Sequence, residues 1–267
     1  MRPNFYYKLI LCFWILWMGV SHFAYSQRET SDIDARALAL GNIKALSRNL
    51  SNPAYLAFTE QKEWGASVYN RFGMKELNTM SVYTLVPNRM INAGFLFSTY
   101  GYEEYRLLQG KISLAKKLSS RFSIGTNVTY LNENSILEPE SKNYLSADVG
   151  LYYCINELFE AAFTSENLLH TSNSLHSICN VGILYRLLPD CNILLETGSD
   201  FNKYFEAKAG IEYEIVGQFA VRTGFRTQLK VPSIGFAYIG TQWRTDVAFL
   251  LHPVLGLSSA IGISYYF

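Results

Sequence analysis

The chain closes on Gly256-Leu257-Ser258-Ser259-Ala260-Ile261-Gly262-Ile263-Ser264-Tyr265-Tyr266-Phe267. Side chains alternate across a strand, so Leu257, Ile261, Ile263, Tyr265 and Phe267 share one face with Ser259. Gly256, Ser258, Ala260, Gly262, Ser264 and Tyr266 share the other. One face is therefore greasy and the other small or polar. A final apolar strand leaves a soluble sandwich with an unpaired edge open to aggregation. In a closed transmembrane barrel the last strand pairs with the first, and no edge remains. Aromatic rings at the very end then sit at the membrane–water boundary, where amphipathic rings are favoured. The competing reading is the last strand of a secreted β-sandwich.

At the other end, Arg2 and Lys8 precede an apolar run over 9–20, and Ala24-Tyr25-Ser26 presents small residues to a signal peptidase. The run is about a dozen residues, against the ~20 that a spanning helix needs. Residues 1–26 thus read as a signal peptide cleaved before Gln27. Cys12 lies inside the apolar run, not at the cleavage point, which argues against a lipid-anchored protein.

Beyond it the chain is rich in aromatics, with 19 Tyr and 17 Phe in the whole sequence, and its formal net charge is +1. Near-neutrality without a basic run gives no sign of nucleic acid, and no nucleic-acid partner is expected. Cys154, Cys179 and Cys191 have no metal-ligand spacing and read as small strand residues. At most one disulfide is available to them, with Cys179 and Cys191 across a turn as the candidate pair.

Residues 27–61 precede any convincing strand. Ala37, Leu38, Leu40, Ile43 and Leu46 give 32–49 a broken helical stripe, which Asn52-Pro53-Ala54 ends. From residue 62 to 267 the pattern is strand and turn without interruption. Strands are expected near 62–72, 77–86, 90–100, 104–117, 121–132, 143–154, 158–166, 175–187, 191–199, 203–215, 218–226, 230–240, 242–251 and 256–267. Most approach the ~9–11 residues of a tilted spanning strand. Tight turns such as 87–89, 119–121 and 189–190 alternate with longer connections at 132–142 and 167–174, as in a barrel whose short turns are periplasmic. With both chain ends on the short-turn side, the strand count is even.

The expectation is an all-β fold: a transmembrane antiparallel β-barrel of about fourteen strands with a short N-terminal helical plug. Strands nine to thirteen then carry a charged set on one phase: Glu196, Glu206, Lys208, Glu212, Arg222, Arg226, Arg244 and Asp246. An Arg or Lys facing lipid at mid-depth costs ~2–4 kcal/mol, so alternation sends these inward as a polar lumen wall. They read either as ion pairs bracing lumen and plug or as a constriction that filters a solute.

The stretch Ala37-Leu38-Ala39-Leu40-Gly41-Asn42, followed by Asn52-Pro53-Ala54, resembles the N-terminal plug region of FadL-type outer-membrane proteins. These comprise long-chain fatty-acid transporters and barrels associated with type IX secretion. Tyr55 stands where that family usually has Gly. The resemblance implies that Gly41, Asn52, Pro53 and Ala54 lie in the lumen beside a ligand path. The terminal alternation resembles the C-terminal signal of outer-membrane barrels, making Tyr265 and Phe267 the assembly signal read by the barrel-assembly machinery. It also implies the outer membrane of a Gram-negative bacterium, with its lipid as a partner.

Two functions compete: passage of a hydrophobic or amphipathic small molecule, or a non-transporting role among the envelope proteins of a cell-surface or type IX secretion assembly. A third, outer-membrane hydrolysis, finds little support. His170, His176 and His252 lie at or near expected loops with no Ser or Asp partner in a motif, and no phosphate loop, zinc spacing or cofactor motif appears. The chain therefore reads as a non-enzyme.

Overall fold

The computed structural model describes residues 33–137, 140–171, 175–200, 204–215, 217–228 and 230–267. The expected signal peptide and its cleavage point lie outside them. The strands are β1 (Glu63–Asn70), β2 (Asn78–Val86), β3 (Asn92–Gly101), β4 (Tyr105–Lys117), β5 (Phe122–Ser135), β6 (Lys142–Cys154) and β7 (Phe159–His170). They continue as β8 (Ile178–Leu188), β9 (Cys191–Ser199), β10 (Phe205–Glu214), β11 (Phe219–Arg226), β12 (Val231–Ile239), β13 (Trp243–His252) and β14 (Gly256–Tyr266). Each pairs antiparallel with its neighbours, and β14 closes on β1 with Trp64 opposite Tyr265 and Val68 opposite Ile261. The described residues form one closed barrel and no stacked second sheet, which removes the sandwich reading.

Alternation decides the two faces. In β14, Ser258 and Ala260 are buried while Leu257, Ile261 and Ile263 are exposed. Outward Val82, Phe95, Phe97, Ile112, Leu114, Val128, Ile183 and Phe236 continue the apolar band around the barrel. At the end where the barrel strands begin and finish, outward rings meet across strands. Trp243 lies 4.5 Å from Tyr265, which lies 5.8 Å from Phe267; Phe159 stacks on Tyr185 at 4.8 Å, and Phe219 meets Tyr238 at 5.4 Å. This is an aromatic girdle at one boundary of the apolar band.

Some expectations need correction. The helix expected over 32–49 shrinks to α1 (Ala35–Ala39), capped by Asp34 Oδ1 accepting from the Arg36 amide at 2.9 Å. Gly41 at φ +80° and Asn42 at φ +61° turn the backbone left-handed and end it. The connection expected over 132–142 is shorter, because β5 runs on to Ser135. Residues 167–170, expected as loop, extend β7 past a bulge opposite Ala147–Val149 with Asn167 at φ +53°. Cys179 and Cys191 stand at opposite ends of the β8–β9 hairpin, where their partners are Ser199 and Leu188, and all three cysteines are free thiols. The hairpin length separates them far beyond the ~7 Å that a disulfide allows between Cα atoms.

Candidate functional site

Residues 33–61 lie inside the barrel as a plug. α1 packs on β11 to β14, and a 3-10 turn, Pro53–Phe58, packs on β3 to β6. The plug approaches so closely because the wall lacks side chains where it passes. A Cβ at Gly125 would stand 2.5 Å from the Pro53 carbonyl carbon. One at Gly150 would collide with Asn52 Oδ1, at Gly224 with the Leu40–Gly41 backbone, and at Gly235 with Ala39 Cβ. Gly94, Gly182 and Gly210 make room in the same way for Leu50, Leu46 and Leu40. Inward glycines on seven strands thus form a collar shaped to the plug backbone. The sequence reading missed the collar, although its signal was present as glycine recurring on the inward phase at mid-strand.

Gly41, Asn52, Pro53 and Ala54 belong to the plug segment inside the barrel. Asn52 is fully buried; its Nδ2 donates to the Ala45 carbonyl at 2.6 Å and its Oδ1 accepts from the Ala54 amide at 3.0 Å. One side chain thereby ties two plug segments and caps the 3-10 turn, with Pro53 at its first position. The Ala54 carbonyl accepts from Ser123 Oγ on β5 at 2.9 Å. The Gly41 amide donates to Ser233 Oγ on β12 at 3.1 Å.

The charged set faces inward throughout. Seven of its members are buried, and Arg244 is half-buried at the edge of a cavity. It forms two networks. In one, Glu212 receives Arg36 of the plug through two hydrogen bonds of 2.8 Å and Arg222 at 2.6 Å. Arg222 continues to Asp246 at 2.6 Å, which also holds Arg244 at 2.7 Å. In the other, Glu196 binds Lys208 at 2.9 Å while its second oxygen accepts the plug amides of Lys44 and Ala45 at 2.8 and 2.6 Å. Lys208 also reaches Glu206 at 3.6 Å, and Glu206 pairs with Arg226 at 3.0 Å. Lys44 makes a further bond to Glu166 at 2.7 Å. Of the two readings of this wall, bracing describes the contacts: Glu212 and Glu196 each grip plug and wall together. Arg36, Lys44 and Glu166 had no signal in the sequence, since only the fold brings them to their partners.

A cavity of about 510 Å³ lies between plug and wall at the girdle end. One side is aromatic, with Tyr55 and Phe58 against Tyr152 at ring distances of 4.7 and 4.9 Å. The other side carries Arg36, Arg48, Arg244 and Asp246, and exposed Glu60 and Gln61 stand at the rim. Burial, reinforced by Glu160, pushes the Tyr55 phenol well above its ordinary range, so it stays a neutral donor toward Glu160 at 3.4 Å. A second void of about 10 Å³, lined by Lys44, Gln109, Lys111 and Asp148 among others, has room for about one water. His170 and His252 hold local backbone, His252 Nδ1 accepting from the Val254 and Leu255 amides, and no group of metal-ligating residues forms among the described residues.

No protein-family model and no curated protein matches this chain. Solved structures do. The CymD monoaromatic hydrocarbon channel aligns at TM-score 0.66 and 10% identity, covering 86% of this chain and 96% of that one. The toluene transporter TodX of Pseudomonas putida aligns at 0.65 and 12%, covering 92% and 99%. A FadL homologue of Pseudomonas aeruginosa aligns at 0.62 and 10%, covering 85% and 95%. At such identities the likeness is one of fold, and it extends over nearly the whole of each relative. This chain, a fourteen-strand barrel closed on itself with a plug seated in its lumen, shares the barrel fold of these two hydrocarbon channels and of the FadL homologue.

Proposed function

We propose that this chain passes a hydrophobic or amphipathic small molecule across the outer membrane of a Gram-negative bacterium, the plug shifting to open the way. The observation that carries the reading is the cavity walled by Tyr55, Phe58 and Tyr152 beside the plug, in a barrel whose fold relatives are named as hydrocarbon channels and a toluene transporter. The plug is held by polar contacts on two walls, so its movement exchanges ion pairs and does not require unfolding the barrel.

The test is uptake of a monoaromatic hydrocarbon such as toluene by cells that lack their own channel. Ala35 and Gly262 supply the lock: a Cβ at Gly262 would stand 3.6 Å from Ala35 Cβ, within disulfide range. In a background free of other cysteines, Ala35→Cys/Gly262→Cys is expected to block uptake when oxidised and restore it on reduction. Uptake that ignores the lock removes the moving plug. A barrel that folds yet never raises uptake of apolar or amphipathic probes removes transport altogether.

A second reading is a non-transporting component of a cell-surface or type IX secretion assembly. Two observations favour it: the short connections opposite the girdle, such as three residues between β3 and β4 and three between β13 and β14, and a plug braced by Glu212 and Glu196. Co-purification of stoichiometric envelope proteins in mild detergent, together with no uptake, is its expected signature.

A further inference from the structure

We propose that the girdle end of the barrel carries a binding patch for anionic phospholipid along β1 to β5. Lys62, Arg89, Lys116 and Arg121 are all exposed here, at the start of β1, in the β2–β3 turn, near the end of β4 and in the β4–β5 turn. None of the four has an ion-pair partner among the described residues. Lys62 and Lys116 share the outward phase of Trp64 and Leu114, which aims them along the outer wall and not into the lumen. The neighbouring Lys117 is excluded, because it turns inward over the Phe58 ring at 4.8 Å. Nearby acids do not neutralise the patch: Glu63 faces the lumen, where Tyr83 donates to it at 2.6 Å, and Glu60 stands at the cavity rim.

Two features select a lipid over a soluble acidic partner. The cations sit at the level marked by the aromatic girdle, where lipid phosphates lie. Between them the turns present Met90, 76% exposed, and Leu118, 55% exposed, as apolar tips beside the charges. That pairing suits insertion among headgroups, with apolar groups in the acyl boundary and cations at phosphate depth. The adjoining arc, β6 to β9, is different in sign: its turns carry Glu157 and Asp190, and its Arg186 is occupied by Glu160 and the Glu157 carbonyl. Anionic lipid is therefore gathered on one side of the barrel only.

The inference rests on the membrane placement proposed above and not on transport. Native mass spectrometry of the full barrel in detergent, with equal phosphatidylglycerol and phosphatidylcholine of the same chains, tests it. Each cation at an anionic surface contributes up to about fivefold in affinity. Wild type should retain phosphatidylglycerol at least about threefold over phosphatidylcholine, and about 0.5 M salt should erase that preference. Lys62→Gln/Arg89→Gln/Lys116→Gln/Arg121→Gln should bring the ratio to parity, and Glu157→Gln/Asp190→Asn should leave it unchanged. Parity in wild type, including the case of a patch reserved for an acidic protein, overturns the inference, as does a preference that survives salt or the quadruple substitution. Should the quadruple variant not fold, the salt series on wild type decides alone. Retention of neither lipid overturns the membrane placement itself.

Discussion

Arg36 and Glu212 stand 176 residues apart in the chain and meet through two hydrogen bonds of 2.8 Å inside the barrel, toward the girdle end. One belongs to the plug and the other to the wall, so this pair decides whether the two behave as one body. Removing one partner of a buried pair leaves the other charge uncompensated, typically at roughly 3–5 kcal/mol. Glu212 also serves Arg222, whereas Arg36 has no second carboxylate partner in the network.

Glu212→Ala is therefore expected to destabilise more than Arg36→Ala. Urea titration of the protein in lipid vesicles should order them wild type, Arg36→Ala, Glu212→Ala, with roughly 3 kcal/mol lost in the last. Arg36→Ala should also raise ion conductance in planar bilayers, since it releases the plug while Glu212 keeps Arg222.

The collar makes a steric prediction. Gly224→Ala puts a methyl group into the Leu40–Gly41 backbone, whereas a Cβ at Gly110 on β4 meets nothing within 4 Å. Gly224→Ala should leave the barrel closed, read as unchanged heat-dependent gel mobility, but expose the plug to protease. Gly110→Ala should alter stability by less than about 0.5 kcal/mol.

At the seam, Ile261 faces lipid opposite Val68 while Gly262 faces the lumen. Ile261→Arg should cost ~2–4 kcal/mol near mid-depth, measured by equilibrium unfolding in vesicles.

Deleting Phe267 removes an exposed ring and the bond from its amide to the Lys62 carbonyl at 3.0 Å. As an assembly signal, its loss should lower the amount of folded barrel in cells several-fold yet leave refolding in detergent intact. Equal losses in both settings would make Phe267 a purely structural residue.

The sequence determined what a period of two can carry. Alternation in Gly256–Phe267 separated lipid-facing from lumen-facing residues, and turn residues placed fourteen strands close to where they lie. Because charge is costly in lipid, the inward direction of Glu206, Arg222 and Asp246 was legible as well. Partners were not, because pairing depends on how the plug lies across the lumen. Nothing in the order of residues joins Arg36 to Glu212 or Lys44 to Glu166. Local propensity acts through neighbours in the chain, so it reads strands well. A filled lumen is decided by steric fit between distant segments, and only the closed barrel brings the glycine collar, the plug and the cavity into register.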